Sequence, residues 1–541
     1  MKFLSAILFT LFTVLAFAQN PDEKPRLIVG LVVDQMRSDY IERYRDSFGE
    51  GGLNLIIKDG FYAANTHFSY MPTYTGPGHA SIYTGTTPAV HGIASNNWYD
   101  PQVKEVVYCT DDKSVRTIGA QNADGQMSPV KLKTTTITDE LKLASNFRSK
   151  VIGVSIKDRG AILPAGHVPD GAYWLSNTDF ITSSFFADEL PSWVVDFNAE
   201  KWVDHYVDEG WGLLLPADQY TSSLADENPY EYAWEGEEAS TFPKDLRGLV
   251  ESNGLNNMLR YSPHGNSLIF QFAEAAVKSE DLGKDADTDF LALGFSSTDY
   301  LGHNYGPRAM EIEDTYIRLD REIEKFIGFL NEEVGEGNYT LFITSDHGAA
   351  EVPQYAIDNQ IPAGYVDEKG DMAILDSLLQ SIHPKGMDLI EKVDDNKVFF
   401  DRAVLAEEGV DVLDISRKLA EKLTAVKSIY AAYPSKELIW GGANQFPTDK
   451  LVRGLYPVFS GDVTWVRESG WISYSNVGTT HGSPWNYDTH VPLMFYGKGV
   501  TPGKTHRETH ICDIAPTLSM LFGIPLPSGA TGKPILEVFG K

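Results

Sequence analysis

The stretch that decides the fold is Tyr339 to Gly348, read YTLFITSDHG. Leu341, Phe342 and Ile343 are a continuous apolar run among β-formers, the pattern of a parallel strand covered on both faces. Asp346, His347 and Gly348 then set a carboxylate and an imidazole where that strand ends. In open α/β sheets the carboxyl edge is where ligands sit, and this donor pair suits a borderline-soft cation such as zinc. Alone, the same residues also read as an Asx turn closing a strand. The rest of the chain has to separate the two readings.

Working outward, residues 312–334 carry apolar side chains at three- and four-residue spacing, from Ile312 through Tyr316, Leu319, Ile323 and Phe326 to Leu330, and predict a helix leading into the strand. Further buried strands are expected at 27–33, ending on Asp34, at 151–156, followed by Lys157-Asp158-Arg159, at 290–295, followed by Ser296-Ser297-Thr298-Asp299, and at 492–496. Helices are expected at 38–57, 266–278 and 513–522, and a short one after Thr75-Gly76, with Pro77 at its first position. Strands alternating with helices predict an α/β fold, a doubly wound, mostly parallel sheet flanked by helices.

Residues 1–18 read as a signal peptide, with Lys2, an apolar core from Phe3 to Leu15, and Ala16-Phe17-Ala18 ahead of the cleavage point. Residues 19–541 then form one catalytic domain with insertions at about 160–262 and 353–473 on the active edge. The second insertion carries a strand at 397–400 and a helix at 412–423, as a small α+β unit would. The acidic run 281–289 lacks calcium-loop spacing and reads as a solvated turn. Gln19 and not Cys stands directly after the cleavage point, and no other apolar run is long enough to span a bilayer, so the expectation is an exported protein, periplasmic or secreted, with no membrane anchor.

A formal net charge of −30 argues against nucleic acid as a partner, because a phosphate backbone demands a basic face. A small anionic substrate is still compatible, since it feels local metals and a few cations. Only Cys109 and Cys512 are present, too few for a disulfide framework; they are either a single bridge or two buried thiols.

Collected at the predicted strand ends are Asp34, Asp299 with His303 four residues on, Asp346 with His347, and His481 in Gly478-Thr479-Thr480-His481-Gly482. Each alone reads as structural. Together, three carboxylates on one edge are repulsive without cations. Six ligands exceed one tetrahedral zinc and fit two Zn2+ ions, and such a pair can clamp the attacking and leaving oxygens of a phosphoryl transfer. The nucleophile between them is expected to be Thr75, whose hydroxyl needs a metal to become an alkoxide and which precedes a helix N-terminus suited to phosphate. Thr73 is its rival.

These residues resemble the alkaline phosphatase superfamily, and within it the PafA-type secreted alkaline phosphatases, with the nucleotide pyrophosphatase/phosphodiesterases as cousins. The stretch PTYTGPGHASIYTG carries the match at Thr75. The resemblance implies Asp299, His303 and His481 on one zinc, and Asp34, Asp346 and His347 on the other with Thr75. Sulfatases share the fold but need C/S-x-P-x-R where this chain has Thr75-Gly76-Pro77-Gly78-His79. Lys157 and Arg159 lie two apart beyond a strand end, so they are expected to point the same way, and their charges suit phosphoryl oxygens. Asn96, with Asn97 as its alternative, offers an amide donor. The resemblance assigns the combination of Asn with Lys-x-Arg to monoesterases. The expected function is therefore hydrolysis of small-molecule phosphate monoesters through a phospho-threonine. The alternatives are a phosphodiesterase or nucleotide pyrophosphatase on the same metals, and a non-catalytic phosphate- or metal-binding protein.

Overall fold

The computed structural model describes residues 24–442 and 444–541. The predicted signal peptide lies outside the described residues. The strand Leu27–Val33 runs through the middle of the molecule, parallel to Tyr339–Thr344 on one side and to Asp289–Phe295 on the other. Val151–Ser155 and Gly171–Ser176 continue the parallel set. Antiparallel strands close it: His490–Gly497 and then Phe61–His67 at one side, Asp179–Ser183 at the other. The result is a mixed sheet with a parallel centre.

Side-chain alternation explains why the central runs are apolar throughout. Leu27, Val29, Leu31 and Val33 enter one core, while Ile28 and Val32 enter a second on the opposite face. Leu341 and Ile343 join the first core and Phe342 the second. The helices Met310–Leu330 and His264–Ser279 cover the first face; Thr75–Thr84, Ile137–Ala144 and Ile514–Phe522 cover the second. A strand dressed on both faces needs no polar side, so period 2 disappears from its sequence.

Several expectations are corrected. The expected helix 38–57 is two, Ser38–Arg43 and Leu53–Asp59. The Gly49–Gly52 region separates them, and Asp320 accepts the Gly49 and Leu53 N–H groups. The helix expected to start at Pro77 starts at Thr75 and makes Pro77 its third residue. The long helix ends at Leu330 and closes in a π turn, Asn331–Gly335. The region read as an insertion from 160 onward supplies the helix Asp158–Ala165 and two strands of the main sheet, Gly171–Ser176 and Asp179–Ser183. Those strands are short, aromatic and joined at Asn177, whose φ is 53°, so they leave no extended periodic signal. Val194, Phe197, Val203 and Val207, further along the same stretch, also pack into the main core.

Within residues 353–473, the strands Ile390–Asp394, Lys397–Phe400, Val463–Arg467 and Ile429–Pro434 form an antiparallel sheet. It packs with the helices Glu368–Gln380 and Val412–Leu423 around an apolar cluster of its own. Cys109 and Cys512 are both free, buried thiols. No helix among the described residues is long and apolar enough to cross a membrane.

Asp314, fully buried in the long helix, fastens the 211–220 segment to it. It accepts from Trp211 Nε1 at 2.7 Å, Leu214 N at 2.8 Å and Arg318 Nε at 2.6 Å, and from the Tyr220 hydroxyl. Asp314→Ala strands these donors without a partner and is expected to cost about 3 kcal/mol. A lowered urea midpoint, partly recovered in Asp314→Asn, is the measurement that checks it.

Candidate active site

All six expected ligands lie at the carboxyl edge of the parallel strands. Asp34 follows Leu27–Val33, Asp346 and His347 follow Tyr339–Thr344, and Asp299 and His303 sit one turn apart in Ser297–Tyr305. His481 arrives on the loop before His490–Gly497. Asp34, Asp299, Asp346 and His347 are buried, while His303 and His481 stand at the rim.

Two groupings emerge. Asp299, His303 and His481 bring ligand atoms together, and so do Asp34, Asp299 and His347. Asp299 thus faces both groups. Asp346 stands slightly apart, its Oδ2 3.8 Å from His347 Nε2 and 3.7 Å from His79 Nε2.

The tautomers make the case for cations. Each imidazole gives Nδ1 to a backbone carbonyl: His303 to Thr479 at 2.8 Å, His347 to Gly348 at 2.9 Å and His481 to Thr73 at 2.7 Å. A carbonyl only accepts, so each Nδ1 carries hydrogen and each neutral ring turns its Nε2 lone pair inward. Those Nε2 atoms face carboxylate oxygens: His303 and His481 face Asp299 Oδ1 at 3.2 and 3.5 Å, and His347 faces Asp34 Oδ1 at 3.3 Å. Lone pair opposite lone pair is repulsive unless a proton or a metal ion lies between. Asp34 Oδ1, Asp346 Oδ2 and His347 Nε2 are moreover buried without a hydrogen-bond partner. This donor set of carboxylate oxygens and imidazole nitrogens, oriented through the second nitrogen, fits zinc.

Without a metal ion, the crowded carboxylates shift their neighbours' protonation, and a proton takes the inward position on His347. Burial and Asp299 drive the Asp34 carboxyl up, but Lys157 and His347 outweigh them and hold it well below the usual range. Burial, with Asp34 beside it, pushes the Asp346 carboxyl well up. Burial opposes protonation of His347, yet Asp346 and Asp34 raise it to about 9. Burial and the neighbouring His347 ring lower His481 to about 3.

Thr75 is the first residue of its helix and is buried at the helix N-terminus. Gly78, in the same first turn, lies against the strand end: a Cβ there would sit 2.3 Å from the Asp346 carbonyl oxygen. Asn96 accepts the Gly76 N–H through Oδ1 at 2.7 Å, which leaves its Nδ2 as a donor. Asn97 is exposed at the start of the Asn97–Asp100 strand. Thr73 Oγ1 donates to Ser483 O.

Lys157 and Arg159, expected to point the same way, part company. Lys157 is the extended residue before the helix Asp158–Ala165 and sends Nζ to Asp34 at 2.6 Å and Asp299 at 2.5 Å. Arg159 is already helical and gives Nη1 to the Tyr108 hydroxyl at 2.9 Å. Different backbone conformations at the two positions aim the side chains differently.

The sequence reading missed the residues that hold these groups. Gln35 donates from Nε2 to Asp299 Oδ1 at 2.6 Å and from its backbone N–H to Asp346 Oδ1 at 3.2 Å. A polar residue directly after a strand-end Asp was the available signal. Tyr108 donates on to Asp158 at 2.8 Å, and Thr110 bonds the same carboxylate. That pair comes from a hairpin whose return onto Arg159 no local pattern announces. Tyr74 bonds Asp395 at 3.1 Å and sets its ring edge-on to His481.

Carboxylates and imidazoles converging beside a hydroxyl at a helix N-terminus have the makeup of a metal-assisted hydrolase. The comparisons give the family. Residues 28–492 match the family described as type I phosphodiesterase / nucleotide pyrophosphatase. Alkaline phosphatase PhoV of Synechococcus elongatus is 43% identical, over 95% of this chain and 93% of its own. Alkaline phosphatase PafA of Elizabethkingia meningoseptica is 43% identical, over 96% of each chain. A crystal structure of PafA matches with a TM-score of 0.91 at 42% identity, covering 96% of this chain and 99% of that one. A Myroides odoratus protein named calcium-transporting ATPase is 43% identical over 97% of both. The chain belongs to the type I phosphodiesterase / nucleotide pyrophosphatase family, in the alkaline phosphatase superfamily, and is an enzyme of the alkaline phosphatase type.

If cations satisfy the inward lone pairs, chelation restores the repulsion. Dialysis against a chelator is expected to lower the thermal midpoint and added zinc to raise it again. In His347→Ala/His481→Ala the midpoint should no longer respond to zinc, which differential scanning calorimetry reads directly.

Proposed function

We propose that this chain is an exported phosphate monoester hydrolase that holds two Zn2+ ions and works through a phospho-threonine at Thr75. The observation that supports it most is the inward Nε2 lone pairs of His303, His347 and His481 against Asp34 and Asp299, beside the Thr75 helix terminus. Asp299, His303 and His481 would hold one ion, and Asp34, Asp346, His347 and Thr75 the other. When bound, zinc lowers the pKa of a coordinated hydroxyl and neutralises charge on phosphate-ester oxygens.

Thr75 Oγ1, its proton given up to solvent, attacks phosphorus; the new O–P bond forms as the bond to the alcohol oxygen breaks. The departing oxygen takes up a proton and leaves as the alcohol. Water then breaks the Thr75–phosphate bond and releases phosphate. Asn96 Nδ2, left over once Oδ1 has accepted the Gly76 N–H, donates to a non-bridging oxygen. Arg159, oriented by Tyr108, places a fixed fork of donors toward another. With cations held by Asp34 and Asp299, Lys157 would no longer be their counter-charge and its ammonium would be free for the substrate. A monoester dianion needs this positive and donor-rich surround, which a diester needs less. Export rests on residues 1–18 of the sequence, and the substrates are small-molecule phosphate esters.

The family name includes phosphodiesterases, so the ester class is the comparison to make. The monoester should be preferred over a diester with the same p-nitrophenyl leaving group. Lys157→Ala/Arg159→Ala should lose monoester kcat/KM by on the order of 100-fold or more, and diester kcat/KM by far less. A diester preference in the wild type sinks the monoester reading.

Thr75→Ala is expected to lose roughly 10^4-fold or more in kcat. Acid quenching of wild type with radiolabelled monoester should leave label on the peptide that contains Thr75. Label on a Thr73 peptide alone would transfer the nucleophile's role there.

A further inference from the structure

A cavity of about 850 Å3 adjoins the site. Tyr74, Thr480 and His481 form one end of it, and the four-stranded sheet of residues 390–467 and its helices form much of the rest. A phosphoryl group needs only a fraction of that volume; the size is that of a pocket for a small organic molecule.

Its walls have a definite chemistry. Met71, Leu375, Ile390, Val393, Trp465 and Trp471 give it an apolar, aromatic body. Its charged lining is acidic on balance, with Asp371, Glu391, Asp394, Asp395 and Asp488 against Lys392 and Arg467, but Lys104 and Lys397, from outside the lining, pair with Glu391 and Asp395. Arg467 is already paired with Asp371 at 2.5 Å. Asp394 accepts the Tyr99 N–H at 2.9 Å, and among the described residues it forms no ion pair. The end of the cavity at His481 belongs to the Asp299–His303–His481 group, one of the two that flank the reacting phosphate in the proposed reaction. A substrate whose phosphate is seated at the site therefore has this cavity open to its organic half.

We propose that the cavity is the leaving-group subsite, and that it selects phosphate monoesters of uncharged or cationic alcohols with an apolar or aromatic body over monoesters of anionic alcohols. The inference rests on the monoester reading of the site and deepens it. Apolar and aromatic walls bind the alcohol's body, and the Asp394 carboxylate accepts a cationic head. Asp394, which has no such counter-charge, repels a second phosphate, a sulfonate or a carboxylate on the leaving group, because in a partly enclosed pocket like charges are poorly screened.

The test compares aryl phosphates of matched leaving-group acidity that carry a trimethylammonium, a neutral or a sulfonate substituent, with methyl phosphate as the reference too small to enter. In wild type, kcat/KM for the cationic and neutral esters should exceed that for the sulfonate by roughly tenfold or more. Asp394→Asn, which keeps an acceptor for Tyr99, should narrow the gap about threefold or more. Trp471→Ala should lower the ratio of neutral aryl to methyl phosphate by about tenfold. Rates that follow leaving-group acidity alone, with ratios unmoved in both variants, overturn the subsite. A second readout does not depend on turnover: benzyltrimethylammonium should bind the zinc-loaded protein in a fluorescence titration and bind Trp471→Ala more weakly. If no monoester is hydrolysed yet that cation still binds, the monoester reading falls while the pocket's chemistry stands. If monoesters are hydrolysed and the cation does not bind, the pocket assignment is the one that falls.

Discussion

Three buried carboxylates at one sheet edge are the constraint on which the structure turns. Asp34, Asp299 and Asp346 stand at or just beyond the ends of adjacent strands, so their spacing follows from strand pairing. Lys157 is the chain's own ammonium among them, shared between Asp34 and Asp299. One cation does not balance three carboxylates, and burial makes the remainder costly. Everything nearby reads as a response to that excess. Three imidazoles present nitrogen lone pairs, Gln35 donates to two of the carboxylates, and the Thr75 helix begins within reach of Asp346.

How much of this was legible in the sequence follows from the range of each interaction. The central strands were legible because burial on both faces leaves uninterrupted apolar runs, as in Leu341-Phe342-Ile343. The ligands were legible because a strand's end is a local feature and each carries Asp or His just beyond it. Gly171–Ser176 and Asp179–Ser183 were not, because six and five residues on either side of an Asn turn resemble loop composition. The relation of Lys157 to Arg159 was not either. It depends on whether the helix begins between them, a matter of one residue. The Tyr108–Asp158–Arg159 chain depends on a hairpin folding back across some fifty residues, and no neighbouring pattern records that.

The residues between 353 and 473 matter to the site as wall rather than as ligand. The turn at Asp395 and Asn396, with φ of 44° and 57°, carries Asp394 and Asp395 to Tyr99 and Tyr74. Those tyrosines neighbour the Asn96 and Thr75 segments. One hairpin tip thus touches the two stretches that bring the amide donor and the hydroxyl, and it also lines the cavity. Chemistry resides at the edge of the main sheet, while the shape of the space around it comes from the smaller one.

Gly78 gives the site a mechanical character. With no side chain at that position, the first turn of the Thr75 helix rests on the Asp346 backbone itself. The spacing between the backbones that carry the Thr75 hydroxyl and the Asp346 carboxylate is then fixed by main chain against main chain. Side chains hop among conformers on fast timescales, whereas two abutting backbones move only if a helix moves. The backbone spacing between Thr75 and Asp346 is therefore a property of the scaffold, as stiff as the sheet that carries it. Drift in the surrounding surface can retune what the enzyme accepts and leave that distance alone.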